Sequence, residues 1–296
     1  AGFRYEHITS DYYEYGKKVE EQSRKYDHIF PSLAVSFPLG NVQMQLAYRA
    51  SIKRPTYWNL RGNITYGNRY TYETGNPLLQ PTTIQTLSLN TIYRWMSLSL
   101  SYNHYKDGFT NYVRAYSEEN PTIGLLTMKH IAPYNQLSAS LMLSPVIGKW
   151  SPRWGVQVQR YDCKVDTPQG VETFDNPLAI LSWRNTVKFT DSFWINADAY
   201  YQTKCQPINA EYLENSWYMN LNLYKGFLNN RMSLQLQVTD LFNTRKSHVL
   251  MYSGLRTMEL EDEMRRTVSL TFRYKFNPTK SKYKGTGAGQ SQKARM

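Results

Sequence analysis

The feature that most constrains this chain is an alternation of apolar and polar side chains that recurs along most of its 296 residues. In residues 267–276 every even position is apolar or aromatic and every odd position is polar. Successive side chains of a β-strand point to opposite faces, so a period of two predicts strands rather than helices. We expect about fourteen or fifteen strands and no amphipathic helix. The clearest lie in 42–49, 97–103, 217–224, 232–239 and 267–276, with further candidates near 2–9, 31–37, 84–94, 112–117, 123–130, 135–144, 154–162, 180–189, 193–203 and 248–257.

Two architectures produce this alternation, and they differ in which face is wet. A soluble β-sandwich buries its apolar face, whereas a membrane barrel turns its apolar face to lipid and its polar face to a watery lumen. The strand candidates run about ten residues, the length a tilted strand needs to cross hydrocarbon. Their polar faces carry Gln, Asn, Ser and Thr. We therefore expect an all-β fold, an antiparallel transmembrane β-barrel with a polar lumen and an apolar, lipid-facing exterior.

Aromatic side chains collect at the ends of the strand candidates, which supports the barrel. Amphipathic rings settle at the headgroup level of a membrane, and barrels carry two girdles of them. The soluble alternative would place the same rings in a core. The pairs are Tyr93 and Trp95, Tyr102 and Tyr105, Trp150 and Trp154, Phe193 and Trp194, Tyr200 and Tyr201, Trp217 and Tyr218, and Tyr274 and Phe276.

Composition removes several other classes. With 15% aromatic residues the chain can bury apolar surface, which argues against disorder. No run of about 18 apolar residues predicts a membrane helix. Two cysteines, Cys163 and Cys205, are too few for a disulfide scaffold and are compatible with one bridge or two free thiols. The chain opens in a strand without a secretory signal, which we interpret as a mature segment or a fragment.

The end of the chain differs from the rest. After Asn277 the alternation stops, and residues 278–296 carry five basic and no acidic residues within the chain's net charge of +12. We expect two regions, a barrel region 1–277 and a basic, flexible tail 278–296. Clustered positive charge attracts phosphate, but no nucleic-acid-binding motif accompanies it, so we expect no nucleic acid partner.

The connections between strand candidates differ sharply in length. The connection 55–83 is nearly thirty residues long and rich in aromatic and basic side chains, a mixture that suits ligand contact and also suits a loop packed on itself. Counting strands back from the last one creates a conflict. Parity places Gly226–Asn230 outside and Cys205–Asn215 in the periplasm, whereas loop length argues the reverse. Within the connection 55–83, the aromatic and basic residues that we predict to contact substrate are Tyr57, Trp58, Arg61, Tyr66, Arg69 and Tyr70.

Catalytic and metal-binding motifs were also sought in the sequence. The five histidines lack metal-ligand spacing, and no nucleophile elbow, phosphate loop or dinucleotide fingerprint occurs. His104 lies three residues before Asp107, which we interpret as a polar pair at a strand end rather than a catalytic dyad. We interpret the acidic run 259–263 as a solvated loop rather than a cation site. The sequence predicts no enzyme activity, no cofactor and no metal.

Five short segments, in this order, carry a family resemblance: Phe30–Leu33, Ser51–Pro55, Gly75–Pro81, Asp240–Asn243 and the closing Tyr274–Phe276. The prolines end strand pairing, and we attribute Gly75 to a backbone angle that other residues resist. Over residues 1–277 this set is similar to the C-terminal barrel portion of a TonB-dependent outer-membrane receptor. The nearest branch is the outer-membrane protein β-barrel family.

The resemblance implies a partial barrel, about 14 strands of a larger barrel of about 22 that is filled by a plug domain. It places the protein in the outer membrane of a Gram-negative-type envelope, in contact with outer-membrane lipid. It implies that outer loops capture a scarce nutrient, such as an iron chelate, cobalamin, a glycan or a peptide. The TonB complex would act as a partner through a plug domain that we expect to lie outside this chain.

Three alternatives remain open at this stage. The chain could be a complete, smaller passive pore of about 14 strands. It could be a soluble or surface β-protein that binds glycans through its aromatic side chains. The third alternative is an outer-membrane enzyme.

Overall fold

The computed structural model describes residues 1–276, and their regular secondary structure is almost wholly β-strand. The tail predicted for 278–296 lies outside the described residues. In chain order the strands are β1 (Gly2–Ser10), β2 (Tyr13–Glu14), β3 (Lys17–Lys18), β4 (Arg24–Leu39), β5 (Val42–Lys53), β6 (Thr65–Asn68), β7 (Thr71–Glu73), β8 (Thr82–Tyr93), β9 (Met96–Lys106), β10 (Phe109–Ala115), β11 (Gly124–His130), β12 (Tyr134–Leu143), β13 (Trp150–Thr167), β14 (Gly170–Phe174), β15 (Leu178–Thr190), β16 (Phe193–Gln202), β17 (Ala210–Tyr212), β18 (Ser216–Phe227), β19 (Met232–Thr239), β20 (Lys246–Ser253), β21 (Arg256–Glu263) and β22 (Thr267–Tyr274).

Within residues 1–276, helical structure is confined to two short turns. They are the 3₁₀ turn Glu20–Gln22 and the single-turn helix α1 (Tyr57–Leu60). Within residues 1–276 no helix is both long and apolar enough to cross a membrane.

Thirteen strands form one antiparallel sheet, which we call the wall. Twelve of them follow each other in chain order, and β14 extends the far end of β13. The sequence of neighbours is β1, β4, β5, β8, β9, β12, β13, β15, β16, β18, β19 and β22.

The register of the wall keeps apolar side chains on one face across its strands. One row of directly opposed residues runs Val35, Leu46, Leu89, Leu100, Ala139 and Val158. The next row, on the opposite face, runs Ser36, Gln45, Asn90, Ser99, Ser140 and Gln157. Because side chains alternate between faces, in-register pairing converts the period of two in the sequence into one apolar face and one polar face.

The apolar face of the wall is exposed. Val35 is 48% exposed, Leu46 46% and Leu100 39%, although each lies in the middle of a strand. The hydrophobic core lies elsewhere, around the β13–β14 hairpin, where Tyr134, Cys163, Val165 and Phe174 are buried together. A soluble sandwich would cover the apolar face of its sheet with a second layer, so this distribution is that of a sheet whose apolar face meets lipid.

The polar face is lined by side chains that hydrogen-bond to one another across strands. Thr86 Oγ1 and Ser99 Oγ each donate over 2.7 Å, to Asn103 Oδ1 and Asn90 Oδ1 respectively. Gln235 Nε2 donates to Asn222 Oδ1 over 3.1 Å. Such ladders of amides and hydroxyls are compatible with a hydrated lumen.

The two ends of the wall have different connections. At one end, the turn end, the links are short, such as 40–41, 94–95 and 228–231. Gly40 and Arg94 adopt positive φ there, as tight hairpins require. At the other end, the loop end, every connection is longer. The loop-end connections are 11–23, 54–81, 107–133, the β13–β14 hairpin with 175–177, 203–215 and 240–266.

The structure resolves the parity conflict raised by the sequence. The candidates 112–117, 123–130 and 248–257 fall within β10, β11 and the β20–β21 hairpin, which form smaller sheets at the loop end. Because 248–257 does not cross the membrane as a wall strand, every connection before it moves to the opposite end of the barrel from the one that the sequence count gave. The connection 203–215 then lies at the loop end and the turn 228–231 at the turn end, as their lengths require.

The wall is open within the described residues. There β1 pairs only with β4, and β22 pairs only with β19, so each presents a free edge. All residues of β22 are exposed, Val268 and Leu270 at 63% and 66%.

Candidate functional site

The long connections interlock at the loop end into a cap over the polar face. Strands from two connections form the sheet β10–β11–β7–β6, in which β11 and β7 run parallel. Strands from two others form the sheet β17–β20–β21. Arg256 joins the two sheets: its guanidinium donates to Thr71 Oγ1, to the Tyr70 carbonyl and to the Thr122 carbonyl over 3.2, 3.1 and 2.8 Å.

Two of the six predicted binding residues, Trp58 and Arg61, pack against each other. The Arg61 guanidinium lies 3.4 Å from the centroid of the Trp58 ring, and its side chain is only 10% exposed. Arg61 Nη2 also lies 3.6 Å from Glu73 Oε2 and donates to Thr65 Oγ1. Arg61 Nε and Nη1 are buried and have no hydrogen-bond partner within residues 1–276. Arg61 also lines a cavity of about 70 Å³.

Gly75 lies at the base of the connection 54–81, and the reason for a glycine there differs from the one predicted from the sequence. A Cβ at Gly75 would lie 2.5 Å from the Asn59 carbonyl oxygen and 2.7 Å from that of Arg61. Its φ is not in the positive region. The glycine is therefore required by close backbone approach and not by an unusual backbone angle.

The other four predicted residues are all exposed. Tyr57 is 93% exposed, Tyr66 67% and Tyr70 53%. The Arg69 guanidinium lies 4.6 Å from the centroid of the Tyr70 ring. Tyr57 borders a cavity of about 200 Å³, separate from the one beside Arg61. The structure thus divides the six residues among distinct sites, and a role in substrate binding stays a prediction.

A larger cavity, of about 350 Å³, lies where the polar face of the wall meets the cap. Tyr200 of β16 and Tyr218 of β18 are directly opposed and both line the cavity; their ring centroids are 5.1 Å apart and the angle between their ring planes is 23°. The Arg245 guanidinium lies 4.6 Å from the Tyr218 centroid. Tyr200 OH donates to Gln202 Oε1 over 2.9 Å. The sequence missed this cavity.

The sequence pattern predicted Tyr200 and Tyr218 in the aromatic girdles, together with their neighbours Tyr201 and Trp217. In each adjacent pair only one ring belongs there, since neighbouring side chains of a strand point to opposite faces. Tyr201 and Trp217, 36% and 44% exposed, lie on the apolar face. Tyr200 and Tyr218 therefore lie on the polar face, a distinction that strict counting of the period could have made.

The turn that carries Arg245 is built by the segment Asp240–Asn243. Asp240 is 1% exposed and adopts φ 53°. Its Oδ1 accepts from the Thr244 N–H and its Oδ2 from the Arg245 N–H, each over 2.9 Å. Asn243 Oδ1 accepts from the Arg266 N–H over 2.9 Å. One sequence motif therefore fixes the first residues of the last long connection and places Arg245 beside Tyr218.

Charged and phenolic side chains in the β20–β21 region form an ion pair and a hydrogen bond with one another. Lys246 Nζ lies 2.9 Å from Glu263 Oε1, and this hydrogen bond raises the pKa of Lys246 and lowers that of Glu263. Burial, followed by the hydrogen bond that its hydroxyl donates to Glu211, raises the pKa of Tyr252 to about 12. These groups keep their ordinary charge states at neutral pH.

The acidic run was expected to be a loop, and the structure corrects this. Residues 256–263 form strand β21, paired with β20. His248 Nε2 lies 2.6 Å from Glu259 Oε1, so cross-strand partners meet the acidic side chains. Within the described part of the chain no group of three or more His, Cys, Asp or Glu side chains could hold a metal ion.

His104 has an amide partner, as a polar strand-end residue does. Its Nδ1 lies 2.8 Å from Asn135 Oδ1. Asp107 adopts φ 58°, and its carbonyl accepts from Thr82 Oγ1. Cys163 and Cys205 are buried, free thiols.

A curved sheet with an apolar outer face, a polar inner face, short turns at one end and long connections at the other is a transmembrane β-barrel wall. The chain belongs to the outer membrane protein beta-barrel family, whose family model matches residues 1–274. The protein is therefore one of the cell outer membrane. No curated protein sequence matches the chain.

Solved structures share the fold at low sequence identity. The ferric enterobactin receptor PfeA of Pseudomonas aeruginosa, in complex with enterobactin, aligns with 83% of this chain at 15% identity and a TM-score of 0.54. The siderophore receptor PirA of Acinetobacter baumannii aligns with 84% at 14% identity and 0.54, and PirA of Pseudomonas aeruginosa with 74% at 15% and 0.56. This chain spans 40–41% of the length of these receptors.

Proposed function

We propose that this chain is the wall and outer-loop portion of a TonB-dependent outer-membrane receptor that imports a scarce nutrient. The nutrient is an iron chelate, cobalamin, a glycan or a peptide, captured at the cap. The TonB complex acts through a plug domain that lies outside the described residues.

The observation that carries this proposal is the pair of free edges at β1 and β22. In hydrocarbon an unpaired backbone N–H or C=O costs several kcal/mol, so an open sheet edge cannot face lipid. Within residues 1–276 β1 and β22 do not pair with each other, so in this proposal further strands pair with both edges. A wall of twelve consecutive strands plus those strands encloses a lumen wide enough to require a plug if the barrel is to be selective.

The likeness to siderophore receptors supports the barrel architecture. The cap supports the capture step, because four long connections brought together place aromatic and basic side chains at the mouth. A passive pore of this strand number would have to join β1 to β22 directly. A soluble glycan-binding protein would leave the apolar face without a cover.

Energy dependence and membrane fractionation test the proposal against the passive pore and the soluble binding protein. The complete protein, produced in a strain lacking its own receptors, is expected in the outer membrane and should restore growth on one form of scarce nutrient. The cells should accumulate that nutrient, and a protonophore or deletion of TonB should abolish its accumulation. Accumulation that survives both treatments would indicate a passive pore. Recovery of a folded, monodisperse protein from the aqueous fraction without detergent would indicate a soluble binding protein.

A further inference from the structure

The 350 Å³ cavity combines flat aromatic surfaces with polar groups of both kinds. Tyr200 and Tyr218 line it from the wall and Tyr212 lines it from the cap. The Tyr218 ring stacks on Tyr200 and lies under the Arg245 guanidinium, so Tyr200 and Tyr212 are the rings that can present a face to a ligand. Tyr200 OH donates to Gln202 Oε1, and the Gln202 amide group retains its two N–H donors. A volume of about 350 Å³ is at the small end of ligand pockets and fits one end of an extended ligand.

The charges in the cavity balance. Arg245 and Lys246 line it together with Glu214 and Asp262, two basic against two acidic residues, which gives a formal sum of zero. Lys246 is further engaged by Glu263 at 2.9 Å. A highly charged anion, such as a metal chelate of acidic groups, would meet two carboxylates here. A neutral ligand meets no net repulsion.

A lining that combines hydrogen-bond donors, hydrogen-bond acceptors and aromatic rings suits the hydroxyl groups and ring faces of a sugar. Each hydroxyl both donates and accepts, so it is served best where donors and acceptors lie side by side. Arg245 and Gln202 supply N–H donors, and Glu214 and Asp262 supply acceptors. The C–H face of a sugar ring is apolar and packs on an aromatic ring, whose amphipathic character suits a partly wet site.

We propose that this cavity binds the end of a neutral oligosaccharide. Tyr200 is the platform for a sugar ring, Asp262 and Glu214 accept from its hydroxyls, and Arg245 and Gln202 donate to them. The proposal rests on the proposed receptor function and selects the glycan among its four nutrient classes. It places the specificity of the receptor on the wall and on the stem of the last long connection.

Binding of defined probes to the complete protein in detergent tests this site. The probes are maltohexaose, isomaltohexaose, mannohexaose and xylohexaose as neutral oligosaccharides, ferric enterobactin as an anionic chelate, and trialanine as a peptide. We expect at least one neutral oligosaccharide to bind in equilibrium dialysis. Tyr200→Ala and Asp262→Asn should each weaken that affinity tenfold or more. Tyr15→Ala, at a side chain 99% exposed on another connection, is the matched control and should change it less than twofold.

Heat-modified mobility on gels confirms that each variant is folded, and Asp262→Asn keeps the shape of the side chain if Tyr200→Ala does not fold. Absence of binding by all four oligosaccharides would overturn the proposal, as would binding that neither substitution weakens. Loss of ferric enterobactin or trialanine binding in the same variants would assign the cavity to that class instead. Energised uptake of another nutrient would leave the receptor function intact while removing this inference.

Discussion

The buried carboxylate of Asp240 holds the turn that presents Arg245. We expect Asp240→Ala to leave the Thr244 and Arg245 N–H groups without their acceptor, at a cost of about 2 kcal/mol in the free energy of unfolding. Asp240→Asn is the matched control, because it keeps one carbonyl oxygen and because Asn tolerates φ near 53°. Urea unfolding in phospholipid vesicles measures both. Equal losses in the two variants would show that the turn needs both carboxylate oxygens, because the Asn amide nitrogen cannot accept from the second N–H.

Adjacent residues of the wall should respond oppositely to the same substitution. Leu100 lies on the apolar face and Ser101 on the polar face of β9. Leu100→Arg is expected to lower the free energy of unfolding in vesicles by about 2–4 kcal/mol, because a guanidinium near the bilayer midplane is poorly solvated. Ser101→Arg should have little effect, since its side chain reaches a wet lumen. Comparable damage at both positions would indicate a core buried on both faces.

At the scale of the element, the two cysteines report on the loop-end packing. Burial raises the pKa of Cys163 and of Cys205 to about 11. Both lie at the loop end, Cys163 in the part of β13 that pairs with β14 and Cys205 in the connection 203–215. At pH 8 the folded protein should react with iodoacetamide about 100-fold more slowly than the unfolded chain, because the reactive thiolate is about 100-fold scarcer. The rate should rise with pH toward 11.

Thiol counting provides the control for that experiment. After unfolding without reductant, two thiols per chain should react. A count of zero would establish a disulfide between Cys163 and Cys205 and contradict the two free thiols of the structure.

The cap elements are joined by Arg256, so its removal should loosen two of them together. Arg256→Ala removes three hydrogen bonds to the segments that hold Thr71 and Thr122. We expect amide hydrogen exchange in β7 and β11 to accelerate about 10–30-fold, corresponding to a local loss of about 1.4–2 kcal/mol. Arg265→Ala, which removes an arginine at the stem of the same connection, is the control. Unchanged exchange in β7 and β11 would show that β-pairing alone holds the cap.

At the scale of the whole molecule, the free edges make the sharpest claim. If further strands close the barrel, those amides of β1 and β22 that do not bond to β4 or β19 are paired in the complete protein. They should then exchange as slowly as amides of the central strands β8 and β9. Hydrogen exchange with peptide-level readout in vesicles measures this. Fast exchange at both edges would contradict a closed barrel.

The wall could be predicted from the sequence to a large extent, and the cap could not. Residues 267–274 of the predicted strand 267–276 form β22 with the expected faces, because the period of two depends only on the alternation of adjacent side chains. The segment 248–257 shows the limit. It has the composition of a strand and is one, but it pairs within the cap, since pairing partners are chosen by contacts distant in sequence.

The candidate binding residues divide in the same way. The aromatic and basic composition of 55–83 drew attention to Trp58 and Arg61, and the structure packs these two against each other. Tyr200 and Arg245 were not selected, because they are 45 residues apart and only the folded turn at Asp240 brings Arg245 to the wall.

By itself the sequence determined the secondary structure of the wall, its two faces and the medium that each face meets, because these follow from local alternation and from the solvation of each side chain. Only the tertiary structure decided which strands pair, where the parity of the connections falls and which distant side chains share a cavity. Those outcomes depend on the register of long-range pairing and on the packing of connections against one another, and neither leaves a local pattern in the chain.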